Sequence, residues 1–499
     1  MTESLIPLVA RAEQTAPDRI AIADSAGEYS YGQLLEKSHA IASALLAGRA
    51  DLEGRRVAFL VPSSFDYPCV QWGIWRAGGT AVPLCTMHPP AEWSYVLEDS
   101  GAEIVVAHAE FADKLAPVAE RLGCRFLRCE DIRDHALGAL PAVEADRAAM
   151  LIYTSGTTSK PKGVVTTHKI LSWQIRSLIE AWGWVPDDRT LLVLPLHHLH
   201  GILNVLSCAL WAGATCEMAP RFDAEETWAG IQSGRLTLFM AVPTVYARLV
   251  KAWESASPGK QQALSAACRK LRLMVCGSAA LPVVTLERWR EISGHTLLER
   301  YGMTELGMAL SNPLNGARLP GFVGQALPYV EVRLVDETLN AVPDGTPGQI
   351  QVKGPTVFRE YWQRPSETEK AFVEGWFKTG DVAVRENGSF RILGRESVDI
   401  IKTGGYKVSA LEIEDELRNH EAIEQCAVVG VEDPEWGERV AAAVVVKEGN
   451  SLSLDTLRAW AKERLAIYKV PSRLLILPEL PRNAMGKVVK PELAQQFRA

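Results

Sequence analysis

The sequence predicts an α/β protein with a large N-terminal domain of parallel βαβ sheets, a small antiparallel β subdomain and a small C-terminal α+β domain. A chain of 499 residues is too long for one simple hydrophobic core, so more than one domain is expected. From about residue 30 to residue 310, apolar runs alternate with helix-period segments, a pattern typical of parallel sheets. The predicted strands cover residues 57–61, 104–106, 150–153, 236–242 and 271–276.

Between about residues 320 and 395 the strands become closely spaced, at 330–335 and 348–353, with Gly-containing turns between them. This pattern predicts the antiparallel subdomain. The boundary is expected after Glu396, which gives a large domain over residues 1–396 and a small domain over residues 397–499. The small domain is predicted to begin with a helix capped by Ser409 and Glu412, followed by further strands and a helix.

The composition narrows the class of protein. Hydrophobic residues make up 47% of the chain and charged residues 23%, as in soluble globular proteins. A formal net charge of −7 provides no basic face for a nucleic acid, and no run approaches the ~20 apolar residues of a membrane span. Nine cysteines without a C-x-x-C pair indicate neither a disulfide framework nor a zinc ribbon. Together with an acidic N-terminal segment, these features predict a cytoplasmic protein.

The segment from Tyr153 to Gly163 has the composition of a phosphate-binding loop. Its hydroxyl groups and lysines can hold anionic oxygens, and its glycines let backbone N–H groups approach an anion. A Walker loop is excluded because Pro161 stands where that motif needs its second glycine. An ordinary surface loop is the alternative for a Gly/Ser/Thr cluster taken alone.

Three histidines lie within seven residues, at 197, 198 and 200. A zinc site is one interpretation. The sequence around them supplies no cysteine or carboxylate partner, so polar lining of a pocket is favoured.

Three later segments carry groups suited to a nucleotide. Arg300 to Glu305 follows an apolar pair and is expected on a loop at the carboxyl end of a strand, where ligands bind in open α/β sheets. Asp381 is expected to be exposed after a turn, where its carboxylate can accept hydrogen bonds from a ribose. Arg395 lies at the predicted boundary, and Lys487 follows a glycine near the end of the chain. A turn aspartate and a solvated lysine are the structural alternatives.

Taken together and in order, these motifs resemble the adenylate-forming superfamily of acyl-CoA synthetases, peptide-synthetase adenylation domains and luciferases. The resemblance implies two half-reactions. A carboxylate attacks the α-phosphorus of Mg-ATP to give an acyl-adenylate and pyrophosphate, and the thiol of coenzyme A then displaces AMP. ATP and coenzyme A are therefore expected co-substrates and Mg²⁺ the expected metal ion.

The resemblance also implies roles for single residues. Lys487, Thr304 and His198 would be catalytic, and Glu305 would bind Mg²⁺. The ATP-binding set would be Thr154, Ser155, Gly156, Thr157, Thr158, Lys162, Gly163, Ala279, Ala280, Tyr301, Gly302, Met303, Thr304, Asp381 and Arg395. The small domain would be mobile, with Ser397 at its hinge and Gly404 and Gly405 lining the coenzyme A tunnel. Ser159, Ser397 and His197 depart from the residue types usual in the family.

Within the superfamily the sequence is most similar to malonyl-CoA synthetases. Three stretches carry this likeness: residues 195–201, residues 242–248, and residues 276–282 with 299–305. The likeness implies that Arg248, Ser278, Gly277 and His198 bind the acid, with Arg248 pairing its second carboxylate. Malonate or methylmalonate is the expected substrate. The open alternatives are another short acid, a carrier-protein thiol as acceptor, a luciferase-like oxygenase and a silent paralogue.

Overall fold

The computed structural model describes residues 6–154, 160–403, 406–483 and 486–497. The first part of the chain, residues 7–167, contributes helices and strands to two different sheets. They are α1 (Pro7–Glu13), β1 (Ile20–Asp24), β2 (Gly27–Ser30), α2 (Tyr31–Leu46), β3 (Arg56–Leu60), α3 (Asp66–Arg76), β4 (Thr80–Pro83), α4 (Pro90–Ser100), β5 (Ile104–Ala107), α5 (Ala109–Arg121), β6 (Arg125–Arg128), α6 (Cys129–Ile132), β7 (Ala148–Tyr153) and β8 (Gly163–Thr167).

The second part continues the alternation of helix and strand and includes a π-helix over His200–Ser207. Its other elements are α7 (His168–Trp182), β9 (Arg189–Leu192), α8 (Cys208–Ala212), β10 (Thr215–Met218), α9 (Ala224–Gln232), β11 (Leu238–Ala241), α10 (Pro243–Glu254), α11 (Pro258–Cys268), β12 (Leu273–Cys276), α12 (Val283–Ser293), β13 (Leu298–Met303), β14 (Gly307–Ser311) and β15 (Gln325–Ala326).

The last two parts are richer in strands. The third holds β16 (Glu331–Val335), β17 (Gly348–Lys353), β18 (Glu360–Tyr361), α13 (Pro365–Ala371), β19 (Phe372–Val373), β20 (Trp376–Glu386) and β21 (Ser389–Arg395). The fourth holds β22 (Ile400–Thr403), β23 (Tyr406–Ser409), α14 (Ala410–Leu417), β24 (Ile423–Asp433), β25 (Gly437–Val446), α15 (Leu454–Lys462), a 3₁₀ turn (Ile467–Lys469), β26 (Arg473–Ile476) and α16 (Lys490–Gln496).

Two mainly parallel sheets form the large part of the molecule. One has nine strands in the order β15-β14-β13-β12-β11-β9-β10-β1-β2, and the other has seven in the order β18-β8-β7-β4-β3-β5-β6. Their central pairs are parallel, while β2, β14, β15, β8 and β18 pair antiparallel at the edges. Buried strands such as β5 and β11 are apolar throughout, as expected where helices cover both faces of a sheet.

Two five-stranded sheets complete the fold. Strands β16, β17, β20, β19 and β21 form an antiparallel sheet. The C-terminal sheet has the order β23-β22-β25-β24, with β26 parallel to β25. The predicted fold class is confirmed. Ser409 caps α14 by accepting a hydrogen bond from the Glu412 backbone at 3.2 Å, as the spacing predicted.

Two local predictions about strands were wrong. Asp381 does not follow a turn but lies inside β20, where it is buried at 8% exposure. The Thr-Gly-Asp pattern resembles a turn because Gly380 has φ +75°, yet β17 and β21 pair with the strand on either side of it. Residues 300–303 belong to β13 itself, which extends into a hairpin with β14, so only Thr304 to Leu306 connect the two strands.

No helix among the described residues combines the length and apolarity needed to cross a bilayer. All nine cysteines lie in the described part of the chain and are free thiols. Eight of them are buried, which places them in the packed interior and not in cross-links.

A buried ionic cluster connects the last helix to the start of the C-terminal part. Lys490, at the beginning of α16, places its Nζ 2.5 Å from Asp399 Oδ1 and 2.7 Å from Glu414 Oε1. Asp399 Oδ2 accepts a hydrogen bond from the Arg395 backbone at 3.0 Å, and Glu414 Oε1 accepts one from Val428 at 2.8 Å. The cluster therefore joins β21, α14, β24 and α16.

Replacing Lys490 by Met should destabilise the C-terminal part strongly. Loss of one partner leaves buried carboxylates uncompensated, which typically costs about 3–5 kcal/mol. Native-state hydrogen exchange of the β24 amides measures this opening free energy. Lys407→Met is the matched control, because Lys407 pairs with Glu337 on the exposed surface. Equal effects of the two substitutions would contradict a structural role for the buried cluster.

Candidate active site

A shared carboxylate joins the nine-stranded sheet to the antiparallel sheet. Asp381 Oδ2 accepts a hydrogen bond from Tyr301 Oη at 2.6 Å, and Asp381 Oδ1 accepts one from Arg395 Nε at 3.1 Å. Thr379 Oγ1 accepts a hydrogen bond from the Asp381 backbone at 3.1 Å. The three residues that the sequence assigned to the nucleoside thus lie together, although they are separated by up to 94 positions between 301 and 395 in the chain.

Glu305 lies beside this group, on the connection between β13 and β14. Its Oε1 accepts a hydrogen bond from Tyr361 Oη at 2.9 Å. Burial raises the pKa of Glu305, and the hydrogen bond from Tyr361 and the charge of Arg395 only partly oppose this effect. A buried carboxylate whose charge is only partly compensated is suited to binding a cation.

Lys162 connects this group of side chains to the segment that was predicted to bind phosphate. Its Nζ lies 5.2 Å from the centre of the Tyr361 ring and forms an ion pair with Glu367. Thr154 and Lys162 face each other, since the Thr154 N–H donates to the Lys162 carbonyl at 3.0 Å. Gly163, the first residue of β8, has no room for a side chain because a Cβ would lie 2.7 Å from Leu151 Cδ1.

Several predicted residues lie outside the described part of the chain. These are Ser155, Gly156, Thr157 and Thr158 of the phosphate-binding segment, and Gly404 and Gly405 of the predicted coenzyme A tunnel. The described neighbours of the first group, Thr154 and Lys162, lie on the same side of the site as Tyr361 and Glu305.

A second set of polar groups gathers around Ser278, just beyond the carboxyl end of β12. Ser278 adopts φ +72°, and its Oγ lies 3.1 Å from His200 Nδ1 and 3.2 Å from Arg300 Nη2. The Arg300 guanidinium lies directly against Gly277, where a Cβ would lie only 2.6 Å from Arg300 Cζ. The positive φ at a non-glycine residue costs free energy, and such strain is concentrated at functional sites. Ala279 and Ala280 follow in the exposed connection to α12.

Sequence reasoning did not assign Asn204, and it named His200 only as polar pocket lining and Arg300 only as the start of a nucleotide-suited segment. Arg300 is 4% exposed, and its Nε has no hydrogen-bond partner among the described residues. The same holds within the described chain for His200 Nε2 and for both side-chain polar atoms of Asn204, which lie on the π-helix. Buried polar groups normally have partners, so these atoms indicate a place for a ligand or water. Charged and amide side chains inside apolar runs were the available signal.

The histidines are held in their neutral form. Burial lowers the pKa of His198 to about 4, and a nearby imidazole, His88, adds to the effect. Burial also lowers the pKa values of His197 and His200 far below the usual range. The His198 ring packs on that of His197 with the ring centres 3.9 Å apart. At neutral pH these residues can therefore accept a hydrogen bond, donate one or bind a metal ion, but they contribute no positive charge.

Arg248 and Lys487 do not join the Ser278 group. Arg248 is exposed on α10, with its guanidinium 6.0 Å from the centre of the Phe222 ring. Thr244 lies four residues before Arg248, on the same face of α10, and is 3.9 Å from the position of a Cβ on Gly486. Gly486, the residue before Lys487, therefore lies against the first turn of α10.

The remaining predicted residues lie in β13 or on connections between strands. Gly302 and Met303 are in β13, and Thr304 follows it, partly buried. Gly302 faces the partner strand, where a Cβ would lie 2.1 Å from the Gly307 carbonyl oxygen. Ser397 is exposed between β21 and β22.

Comparison with known proteins identifies the family of this fold. The family model "AMP-binding enzyme" matches residues 9–362, and the model "AMP-binding enzyme C-terminal domain" matches residues 412–487. The mitochondrial malonate–CoA ligase of Mus musculus is 45% identical, with 99% of this chain and 91% of that protein covered. The corresponding protein of Homo sapiens is 46% identical, with 98% and 93% covered.

Solved structures agree with this relationship. ATP-bound MatB from Rhodopseudomonas palustris superposes with a TM-score of 0.91 at 34% identity, and the comparison covers 99% of each chain. The apo form of MatB gives a TM-score of 0.81 over the same share of both chains. The overall arrangement is thus nearer to that of the ATP-bound form. Matches to both family models, together with relatives at 45% identity over nearly the whole chain, show that this chain belongs to the AMP-binding enzyme family.

Proposed function

We propose that the protein is an ATP-dependent malonate–CoA ligase that forms malonyl-CoA, AMP and pyrophosphate. In the first half-reaction a malonate oxygen forms a bond to the α-phosphorus of ATP and the bond to pyrophosphate breaks. In the second, the sulfur of coenzyme A attacks the acyl carbon and AMP leaves, while the thiol proton passes to solvent. The near full-length likeness to proteins named malonate–CoA ligase supports this reaction.

One structural observation carries the choice of a dicarboxylic acid: the buried Arg300 guanidinium, whose Nε is without a partner in the described chain. A monocarboxylic substrate uses its only carboxylate in the bond to phosphorus, so its remainder needs only apolar lining. A second carboxylate must be paired when water is excluded, and a planar guanidinium is suited to it. We therefore add Arg300 to Arg248, Ser278, Gly277 and His198 as the acid-binding set.

Arg248 and Arg300 have different roles in this proposal. Arg300 approaches from the buried side beside Ser278 and binds the distal carboxylate directly. Arg248 is exposed and lies on the same face of α10 as Thr244, the residue beside Gly486. In this proposal its positive charge attracts the acid at the mouth of the site. This division refines the prediction that Arg248 alone pairs the second carboxylate.

The nucleotide site follows from the Tyr301, Asp381 and Arg395 group. Asp381 and Arg395 would hold the ribose, and the Tyr301 ring would lie on the adenine. Thr154 to Gly163 would hold the outer phosphates, Thr304 the α-phosphate, and Ala279, Ala280 and residues 301–303 the adenine edge. Glu305 is suited to bind Mg²⁺ because its carboxylate is buried. It also lies near Lys162, since both side chains contact Tyr361. When bound, Mg²⁺ would neutralise charge on the phosphate oxygens.

The C-terminal part supplies the remaining catalytic group. Lys487 would bridge the carboxylate and the α-phosphate in the first half-reaction. We propose that residues 397–499 form a domain that pivots at Ser397 and brings Gly404 and Gly405 to the pantetheine arm for the second. The acceptor is free coenzyme A, and a carrier-protein thiol is the alternative. Cytoplasmic location stays a prediction, since the Mus musculus and Homo sapiens relatives are named as mitochondrial proteins.

The reaction is tested by AMP release with a panel of acids in the presence of coenzyme A. Malonate should give the highest kcat/KM, followed by methylmalonate, because both offer two carboxylates at the same separation. Succinate, propionate and octanoate should be slower. Activity that is highest with propionate or octanoate would contradict the dicarboxylate assignment. If a phosphopantetheinyl carrier protein supported faster turnover than coenzyme A, the carrier-protein thiol would be the acceptor.

Lys487→Ala should slow adenylation far more than thioester formation from supplied malonyl-adenylate. The lysine lies on an exposed turn against α10, from which it can leave between the two steps. Pyrophosphate exchange measures the first step and AMP release from the adenylate measures the second. Lys462→Ala, a basic residue in the last turn of α15, is the control. An equal decrease in both half-reactions would argue against separate positions for the two steps.

Arg300→Met should lower kcat/KM for malonate by roughly 30- to several-thousand-fold. This range follows from about 2–5 kcal/mol for loss of a buried charge partner and tenfold per 1.36 kcal/mol. Arg248→Ala should cost less, on the order of tenfold, because an exposed cation is screened by solvent. Propionate, which lacks the second charge, should lose much less with either variant.

Steady-state kinetics with malonate and propionate check this difference, with Arg290→Ala on α12 as a control and the thermal unfolding of each variant as a measure of folding. Equal losses for the two acids with a folded Arg300→Met protein would make Arg300 a structural residue. If Arg248→Ala caused a larger malonate-specific loss of kcat/KM than Arg300→Met, Arg248 would be the residue that binds the distal carboxylate.

A further inference from the structure

A cysteine and two histidines meet at the boundary between the two large sheets. Cys85 follows β4 of the seven-stranded sheet, and His197 follows β9 of the nine-stranded sheet. His88 lies three residues after Cys85. The three residues each offer one ligand atom, and these atoms all lie within 4.8 Å of one another. Cys85 and His197 are buried, and His88 is partly buried.

The backbone around these side chains is anchored. Cys85 accepts hydrogen bonds on its carbonyl oxygen from Trp93 Nε1 at 2.8 Å and from the His88 N–H at 3.3 Å. On the other loop, Tyr67 Oη donates to the Leu196 carbonyl at 2.5 Å. The ligand atoms are therefore brought together by hydrogen bonds that do not involve the ligand atoms themselves.

A carboxylate orients one of the histidines. Glu92 Oε2 lies 2.9 Å from His88 Nδ1. A proton on Nδ1 then bonds to Glu92 and leaves the lone pair of Nε2 available. Histidines that bind metals commonly have such a carboxylate on the other ring nitrogen, and its loss typically lowers metal affinity about 10- to 100-fold.

The ligand types indicate the metal. One cysteine sulfur and two imidazole nitrogens suit Zn²⁺, whose bonds to S and N are about 2.3 and 2.0–2.1 Å long. Tetrahedral coordination with those bonds places the ligand atoms about 3.3–3.7 Å apart, so separations of up to 4.8 Å need contract by at most about 1.5 Å. Three protein ligands leave the fourth position open to water. Hard cations such as Mg²⁺ prefer oxygen ligands, which distinguishes this cluster from Glu305.

We propose that Cys85, His88 and His197 form a Zn²⁺ site that connects the loops after β4 and β9, with Glu92 as the outer carboxylate. Burial raises the pKa of the Cys85 thiol to about 11, so the metal-free site carries the proton. On binding, the Sγ–H bond breaks, the sulfur–zinc bond forms and one proton is released to the buffer. A cysteine partner for the histidines could not be recognised in the sequence, because Cys85 precedes His197 by more than a hundred residues.

The site also borders the acid-binding residues, because the His197 ring packs on that of His198. Zinc at His197 would hold this ring pair in one orientation. The proposal does not depend on the malonate assignment, since binding is measured without nucleotide, acid or coenzyme A.

The test is a Zn²⁺ titration of the full-length, tag-free, chelator-treated protein in competition with a chromophoric chelator. Wild type should bind one Zn²⁺ tightly, and Co²⁺ in its place should show a thiolate-to-metal charge-transfer band. Cys85→Ser should abolish that band, and His197→Phe, which keeps an aromatic ring against His198, should weaken Zn²⁺ binding more than 100-fold. Glu92→Gln should weaken it about 10- to 100-fold.

Controls separate this site from other thiols and imidazoles. Cys124→Ser and the exposed His135→Gln should bind Zn²⁺ as the wild type does. Zn²⁺ should raise the Tm of the wild type but not of Cys85→Ser, and the metal-free Tm of each variant reports whether it folds. Absence of a tight site in the wild type, or unchanged Zn²⁺ affinity in folded Cys85→Ser and His197→Phe proteins, would overturn the proposal.

Discussion

The need to pair the buried Asp381 carboxylate shapes the centre of this molecule. A carboxylate at 8% exposure is stable only if its charge is compensated, and Tyr301 and Arg395 provide this from β13 and β21. Because those strands belong to different sheets, satisfying one charge also sets how the sheets meet. The same three side chains are the groups proposed above to bind the nucleoside.

The polar connection continues beyond the proposed nucleotide site. Arg395 bonds to Asp381 through its side chain and to Asp399 through its backbone N–H, and Asp399 bonds to Lys490. A continuous set of hydrogen bonds therefore runs from Tyr301, Asp381 and Arg395 into the core of the C-terminal part. A change at Arg395 would alter the hydrogen bonds to both Asp381 and Asp399. The segment after β21 therefore has a physical basis for coupling the proposed nucleotide binding to the position of the C-terminal part.

The three neighbouring histidines divide between two environments. His200 faces inward to Ser278 and Arg300, while His197 faces Cys85 and His88, and His198 packs on His197. Burial keeps all three neutral, so the positive charge in this region comes from Arg300 alone among the groups that contact Ser278 in the described chain. A single buried cation beside neutral imidazoles suits an acid with one carboxylate beyond the reacting one.

Much of this could be predicted from the sequence because local physical chemistry determines it. Apolar runs between Gly and Pro identified β3, β5, β7, β11 and β12, and the Ser409 cap correctly placed the start of α14. The ordered motifs identified the family and predicted that Tyr301, Asp381 and Arg395 lie at one site, as they do. These features depend on neighbours within a few residues or on motifs repeated across the family.

Only the tertiary structure decided the features that depend on contacts distant in sequence. It buried Asp381 inside β20, because β17 and β21 pair on both sides of a segment that locally resembles a turn. It placed Arg300, not Arg248, against Ser278, because β13 lies beside β12. It brought Cys85 to His197, because the connections that follow β4 and β9, which belong to different sheets, meet there. Sequence patterns report periodicity along the chain, whereas burial and charge pairing arise from strand order, which that periodicity does not contain.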